Sequence, residues 1–142
     1  MDGFHFSTEV AVRFAETDAQ GIAHHAAYLV WFEVARVDYL ARFDGGYSGI
    51  RERGMEALTV ETHCRYLTPA VFDDRLRVHT RIADQRGARF RFEYAVERPA
   101  DASLVADGWT GHACVDATTM RPTRMPSWLA DAIATAEAPA SS

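Results

Sequence analysis

Two carboxylates and two histidines, Glu16, Asp18, His24 and His25, fall within ten positions, with Thr17 and Gly21 between them. Groups of these types can do acyl-transfer chemistry where a chain turns into a helix. The first N–H groups of a helix have no partner inside it, and the aligned peptide dipoles favour negative charge there. A carbonyl held at that end is polarised, and the oxyanion formed by attack on it is stabilised. A carboxylate just ahead, Asp18, could attack the carbonyl or draw a proton from water. The same residues have a plainer use. Asp and Thr before a helix often only cap it, and Gly21 could serve only a tight turn. From type and spacing alone, capping outweighs catalysis at any single position. His24 and His25 would point about 100° apart on a helix, a poor arrangement for sharing one metal ion.

A second candidate group is a set of arginines. Arg86, Arg89 and Arg91 flank Gly87, and Arg65 lies on an earlier strand. Arginines suit phosphate recognition, yet a solubilising sheet edge explains them as well, and on sequence alone that reading is favoured. His5, His63, His79 and His112 are scattered and read as ordinary polar-face residues. No Gly-rich phosphate loop, GxSxG elbow or HExxH occurs.

The elements that must position these groups follow from periodicity. Residues 9–14 alternate, with Val10, Val12 and Phe14 on one face, as a half-buried strand does. Residues 24–43 lack Pro and Gly, and Gly45-Gly46 closes them. Leu29, Phe32, Arg36, Tyr39 and Phe43 recur at helical spacing, with Trp31, Val34, Ala35 and Leu40 widening the apolar face. A helix so apolar is expected to be covered on most sides. After a turn region, residues 45–54, period two takes over in four runs. These run along Leu58 to Tyr66, Leu76 to Ile82, Phe90 to Val96 and Trp109 to Ala117, broken at Thr68-Pro69, at Gly87 and at residues 99–101. That pattern predicts an antiparallel meander. A last helix is expected near Ser127, then a frayed tail at residues 138–142. One apolar helix among amphipathic strands is most economically wrapped by a curved antiparallel sheet, an α+β class.

The chain has 142 residues, which fits one domain with a core over about residues 8–130. A net charge of −5 argues against a nucleic-acid partner. The basic residues are scattered, and the longest apolar run, residues 26–32, is too short to span a bilayer, so no membrane insertion is expected. Cys64 and Cys114 make no CxxC pair and read as buried, reduced thiols. With no signal-peptide pattern at the N-terminus, a cytoplasmic location is expected.

The run Phe14-Ala15-Glu16-Thr17-Asp18-Ala19-Gln20-Gly21-Ile22-Ala23-His24-His25-Ala26-Ala27-Tyr28, followed by Trp31-Phe32-Glu33-Val34-Ala35-Arg36, resembles the signature of hotdog-fold acyl-CoA thioesterases. The likeness is to the 4-hydroxybenzoyl-CoA thioesterase family, including its Tol–Pal-associated relatives. It extends through Arg65-Tyr66-Leu67-Thr68-Pro69-Ala70, Phe72-Asp73-Asp74-Arg75-Leu76 and Thr110-Gly111-His112, over residues 8–130. The resemblance implies a hotdog fold: a five-stranded antiparallel sheet wrapped around a long central helix. It implies hydrolysis of an acyl-CoA to free acid and coenzyme A without metal or organic cofactor, in a homodimer or homotetramer with sites between subunits. Position by position, Asp18 matches the catalytic carboxylate, nucleophile or general base. Gly21 matches the loop glycine, and His25 the helix start whose N–H polarises the carbonyl. Tyr28 matches an acyl-pocket aromatic, and Arg86 and Arg89 fall where coenzyme A phosphates can be met. Arg65 is kept as a further substrate-binding candidate. Glu16 stands where Asp is usual and His24 where an aromatic is usual, both beside the substrate. The same fold also carries hydratases and dehydratases, but their His-Gly-His-Phe-Pro type of motif is absent. A non-catalytic acyl-binding protein is the other alternative.

Overall fold

The computed structural model describes residues 1–139; residues 140–142 of the expected tail lie outside the described residues. The strands are β1 (Ser7–Ala11), β2 (Met55–Tyr66), β3 (Arg75–Arg86), β4 (Arg89–Arg98) and β5 (Ser103–Asp116). The helices are α1 (His25–Leu40), α2 (Gly46–Glu52) and α3 (Ser127–Glu137), and a single 3-10 turn spans Phe14–Glu16. All five strands form one antiparallel sheet in the order β1-β3-β4-β5-β2.

Helix α1 lies against one face of this sheet and buries Ala27, Tyr28, Trp31, Phe32, Ala35 and Tyr39. The seam is aromatic. Phe32 stacks on Tyr94 with centroids 4.1 Å apart, and Tyr39 meets Phe92 edge-on at 5.5 Å. Leu76, Val78, Phe92, Tyr94 and Val96 complete the core from β3 and β4. Such offset and edge contacts add roughly 0.5–1.5 kcal/mol each beyond burial. The central helix expected from sequence is therefore present and sheet-covered, as is the helix beginning at Ser127.

Several sequence expectations are corrected. The turn region of residues 45–54 contains a helix, α2. Its Gly-rich composition hides it, because Gly45 serves as a left-handed N-cap (φ 75°) rather than ending all helical structure. Phe14 does not continue β1. It sits in the 3-10 turn and is 76% exposed, resting edge-on against Phe72. The four later strands are not one meander: β3, β4 and β5 are, but β2 pairs with the far side of β5. Residues 67–74 must therefore cross from β2 at one edge of the sheet, past β5 and β4, to β3. That segment is tied down by Arg98, whose Nη1 donates to Pro69 O and to Asp74 Oδ2, each at 3.0 Å. On β5 the inward face carries Thr110, His112 and Cys114, while Trp109 and Gly111 are only partly covered. His112 and His79 are buried, not ordinary polar-face residues. Both cysteines are free thiols, but only Cys114 is buried; Cys64 is partly exposed. Finally, α1 is not covered on most sides: Leu29, Val30, Val34 and Val37 form an exposed stripe, because a single sheet covers one face only. Among the described residues no helix is long and apolar enough to cross a membrane.

One close approach brings β2, β5 and α1 together. Gly108 lies opposite Cys64, and a Cβ there would fall 2.2 Å from His63 O and 3.1 Å from the Phe32 ring. Gly108→Ala is expected to push β2 and α1 apart and cost about 1–3 kcal/mol. Urea denaturation measures this, and an unchanged midpoint would contradict the packing described.

Candidate active site

Asp18 opens a tight three-residue loop. Gly21 N donates to Asp18 O and Asp18 N donates to Ile22 O, both at 2.9 Å, while Thr17 pairs with Ala23 as a bridge. This is a turn closed by a left-handed residue, and Gly21 takes that position with φ 80°. Nothing lies within 4 Å of a Cβ built on Gly21, so its backbone conformation, not space, demands glycine. Asp18 Oδ1 accepts from Gln20 N at 2.8 Å, which orients the exposed carboxylate on the turn.

Two contacts join this loop to the helix. Glu16 is buried (4% exposed) and accepts from Trp31 Nε1 and from Arg13 N, both at 2.9 Å. Its own carbonyl accepts from His24 N at 2.9 Å. The crossing segment adds a third tie, where Ala23 N donates to Ala70 O at 2.8 Å. The carboxylate of Glu16 thus faces the protein, not a ligand.

His24 is the N-cap of α1; its Nδ1 accepts from Ala27 N at 3.2 Å. Helix geometry then leaves the N–H groups of His25 and Ala26 without partners inside the helix, at an exposed, positively polarised end. The His25 ring packs on Tyr66 at 4.8 Å, and Tyr66 Oη donates to His25 O at 3.2 Å. Tyr28 is buried beneath, edge-on to Tyr66 at 4.9 Å. Asp18, Gly21, Glu16, His24, His25 and Tyr28 therefore form one neighbourhood, to which the structure adds Tyr66 and Trp31. Tyr66 carries no spacing signal that could have revealed it; only the strand order puts the end of β2 beside the start of α1. Arg65 is next to Tyr66 but its guanidinium is held by Asp107 at 2.6 and 2.8 Å.

Arg86 and Arg89 are elsewhere. They pair with each other at the β3–β4 hairpin. Arg89 is opposite Ala113, whereas Tyr66 is opposite Ala106. Seven residues of strand separate those levels, about 24 Å. Within one chain the arginine hairpin and the Asp18 loop lie at opposite ends of the sheet. Among the described residues no group of three His, Cys, Asp or Glu side chains is placed to hold a metal ion.

With the geometry in view, comparison with known proteins places the chain. A family model described as Thioesterase-like superfamily matches residues 12–133. The chain belongs to the thioesterase-like superfamily. Acyl-CoA thioesterase YbgC of Haemophilus influenzae (strain ATCC 51907 / DSM 11121 / KW20 / Rd) is 34% identical over 122 residues, 85% of this chain and 88% of that relative. A solved structure from Thermus thermophilus superposes with a TM-score of 0.83 at 36% identity, covering 91% of this chain and 97% of that one. The 1,4-dihydroxy-2-naphthoyl-CoA thioesterase from Synechocystis gives 0.84 at 24% identity, over 94% and 98% of the two chains, a likeness of fold. The helix packed on a five-stranded antiparallel sheet is the hotdog fold. The enzyme class of this superfamily member is thioester hydrolase.

A second polar group lies inside the thioesterase-like fold, and sequence reading missed it. Arg36 Nη1 donates to Tyr94 Oη at 3.2 Å, Tyr94 and Thr110 hydroxyls meet at 2.7 Å, and Thr110 Oγ1 meets His112 Nε2 at 2.7 Å. Burial, reinforced by the Arg36 charge, brings the His112 imidazole down from its ordinary 6.5 to about 3. The sole signal was three polar residues in alternate positions, Thr110, His112 and Cys114, which usually mark a wet face.

Two tests follow from this geometry. Glu16→Leu strands the Trp31 and Arg13 donors and should cost about 1–3 kcal/mol. Glu16→Gln keeps an acceptor and should cost less; equal losses in calorimetry would deny the carboxylate its tethering role. His112 takes up a proton in the unfolded chain below about 6.5 but in the folded chain only near 3. Its contribution is therefore complete above pH 6.5 and falls as the medium is acidified through that window, by up to about 1.4 kcal/mol per pH unit. Wild type should lose about 2 kcal/mol more than His112→Gln between pH 7 and pH 5, read from urea midpoints; parallel losses would refute it.

Proposed function

We propose that this thioester hydrolase acts on acyl-CoA, with Asp18 as its catalytic carboxylate and the N-terminus of α1 as its oxyanion site. The observation that supports the reading is the hairpin turn that carries Asp18 and whose outgoing arm, residues 22–24, runs straight into the first turn of α1, where helix geometry leaves the N–H groups of His25 and Ala26 without partners inside the helix. The name of the Haemophilus relative supports the substrate class. The thioester carbonyl oxygen points at those N–H groups, which favour the charge that develops on it. Asp18 either adds to the carbonyl carbon, giving a mixed anhydride that water then opens, or takes the proton of a water that adds directly. In both routes the C–S bond breaks, coenzyme A leaves as thiolate and collects a proton, and the acid is released. No metal or organic cofactor enters the proposed chemistry. Glu16 positions the loop from inside, His24 caps the helix, and Tyr28 with Tyr66 walls the acyl side.

The proposed assembly is at least a homodimer. β2 is a 12-residue strand with one edge unpaired among the described residues, and α1 shows an exposed apolar stripe. Long bare edges seek a partner. Two β2 edges paired antiparallel about a two-fold axis reverse the strand direction. The partner's arginine hairpin then arrives at the end where Asp18 sits, within reach of the coenzyme A phosphates.

Asp18→Asn should lower thiol release from acyl-CoAs by about 10²–10⁴-fold with an unchanged circular dichroism spectrum; retained turnover would remove Asp18 from the chemistry. Light scattering of the active protein should give two chains or more, and an active monomer would sink the shared-site arrangement.

A further inference from the structure

At the far end of α1 a cavity of about 260 Å³ lies between α1, α2, the sheet and α3. Arg36 is eleven residues beyond His25, about 16 Å along the helix, so this space is separate from the Asp18 loop. Its wall is mainly apolar, with Leu40, Ile50, Met55, Phe90, Leu129 and Ile133. Its volume is just under the roughly 300 Å³ at which ligand pockets begin, so an occupant must be small.

The polar part of the wall holds both signs of charge, Glu33 and Glu56 with Arg36 and Arg51, beside Thr59 and His112. Arg36 has no carboxylate partner among the described residues, although its guanidinium lines the cavity. The nearby acids do not match it. Glu56 is engaged by Tyr47 and Arg51, and Glu33 is exposed and forms no ion pair with it. A guanidinium only donates, so the Tyr94 oxygen accepts from Arg36. The arrangement that pairs every hydroxyl hydrogen of this hydrogen-bond chain runs from Tyr94 to Thr110 and from Thr110 to His112 Nε2, which puts the proton of the neutral imidazole on Nδ1. That Nδ1–H has only Thr59 Oγ1 at 3.4 Å, a long contact, and His112 is 3% exposed and lines the same cavity. An arginine with no ion pair among the described residues and a buried donor with a weak acceptor thus share one mainly apolar chamber.

We propose that this cavity is a binding site for a small carboxylic acid with an apolar or aromatic body, its carboxylate received by Arg36 and the Nδ1–H of His112. Arg36 offers the charge, His112 the second donor, and the residues of β4, α2 and α3 enclose the body. The site stands on its own geometry and does not depend on Asp18 chemistry.

Benzoate and its uncharged analogue benzamide are the probes. Each is titrated into the intact protein by calorimetry and by nitrogen-detected NMR of the histidine side chains. Benzoate should bind one per chain, at least tenfold more tightly than benzamide, and should move the His112 Nδ1 signal while leaving His24 and His25 in place. Arg36→Met should abolish the preference for benzoate, Arg36→Lys should keep part of it, and Ile133→Phe should exclude both probes. Equal affinity for the two probes overturns the proposal. So does a preference that survives in Arg36→Met, or shifts confined to His24 and His25. If Arg36→Met does not fold, Arg36→Lys decides: a preference at the wild-type level or absent altogether overturns the role of the guanidinium.

Discussion

The buried carboxylate of Glu16 is the contact on which the arrangement at the start of α1 depends. A charged group at 4% exposure is costly unless its lone pairs are occupied. Here they are, by the indole of Trp31 in the helix and by the backbone of Arg13 ahead of the loop. The Glu16 carbonyl meanwhile receives the N–H of His24, the cap of α1. One residue therefore sets both the angle of the helix start and the take-off of the turn that bears Asp18. Relaxing that link would leave the turn of Asp18 and the first turn of α1 present but free to move apart.

Much of this was legible in advance because it rests on short-range rules. Alternation located β3 and β4 and their core residues, helical spacing located α1, and the start at Ser127 after Pro126 located α3. The cluster of residues 16–28 was visible as a concentration of functional groups, and its members do share one neighbourhood. What was not legible depends on long-range pairing. Nothing local says that β2 pairs with β5 rather than β3, and that choice alone brings Tyr66 onto His25. It also decides that Arg86 and Arg89 sit far from Asp18. The inward turn of Thr110 and His112 was hidden for a different reason. Hydropathy patterns assume that polar side chains face water, and a hydrogen-bonded relay satisfies them inside instead.

The two polar groupings sit at the two ends of α1 under opposite conditions. At the N-terminus the groups are open to solvent, and backbone dipoles do the electrostatic work. Toward the C-terminal half the groups are enclosed, and Arg36 supplies a full charge. Burial there pushes the Tyr94 hydroxyl up to about 12 and the His112 imidazole down to about 3, so both stay neutral across the physiological range. The relay is thereby kept free of charge on both groups, while the other end of the helix lies open to solvent.

The two margins of the sheet differ in kind. β1 has five residues and β2 has twelve, so the chain offers one broad template for strand addition and one that is barely a template at all. A two-fold pairing through β2 consumes the broad margin on both copies at once and leaves only short margins outside. Growth by strand addition would then stop at two, and an inequality in the length of the outermost strands would be enough to guard such a pair against fibrillar stacking.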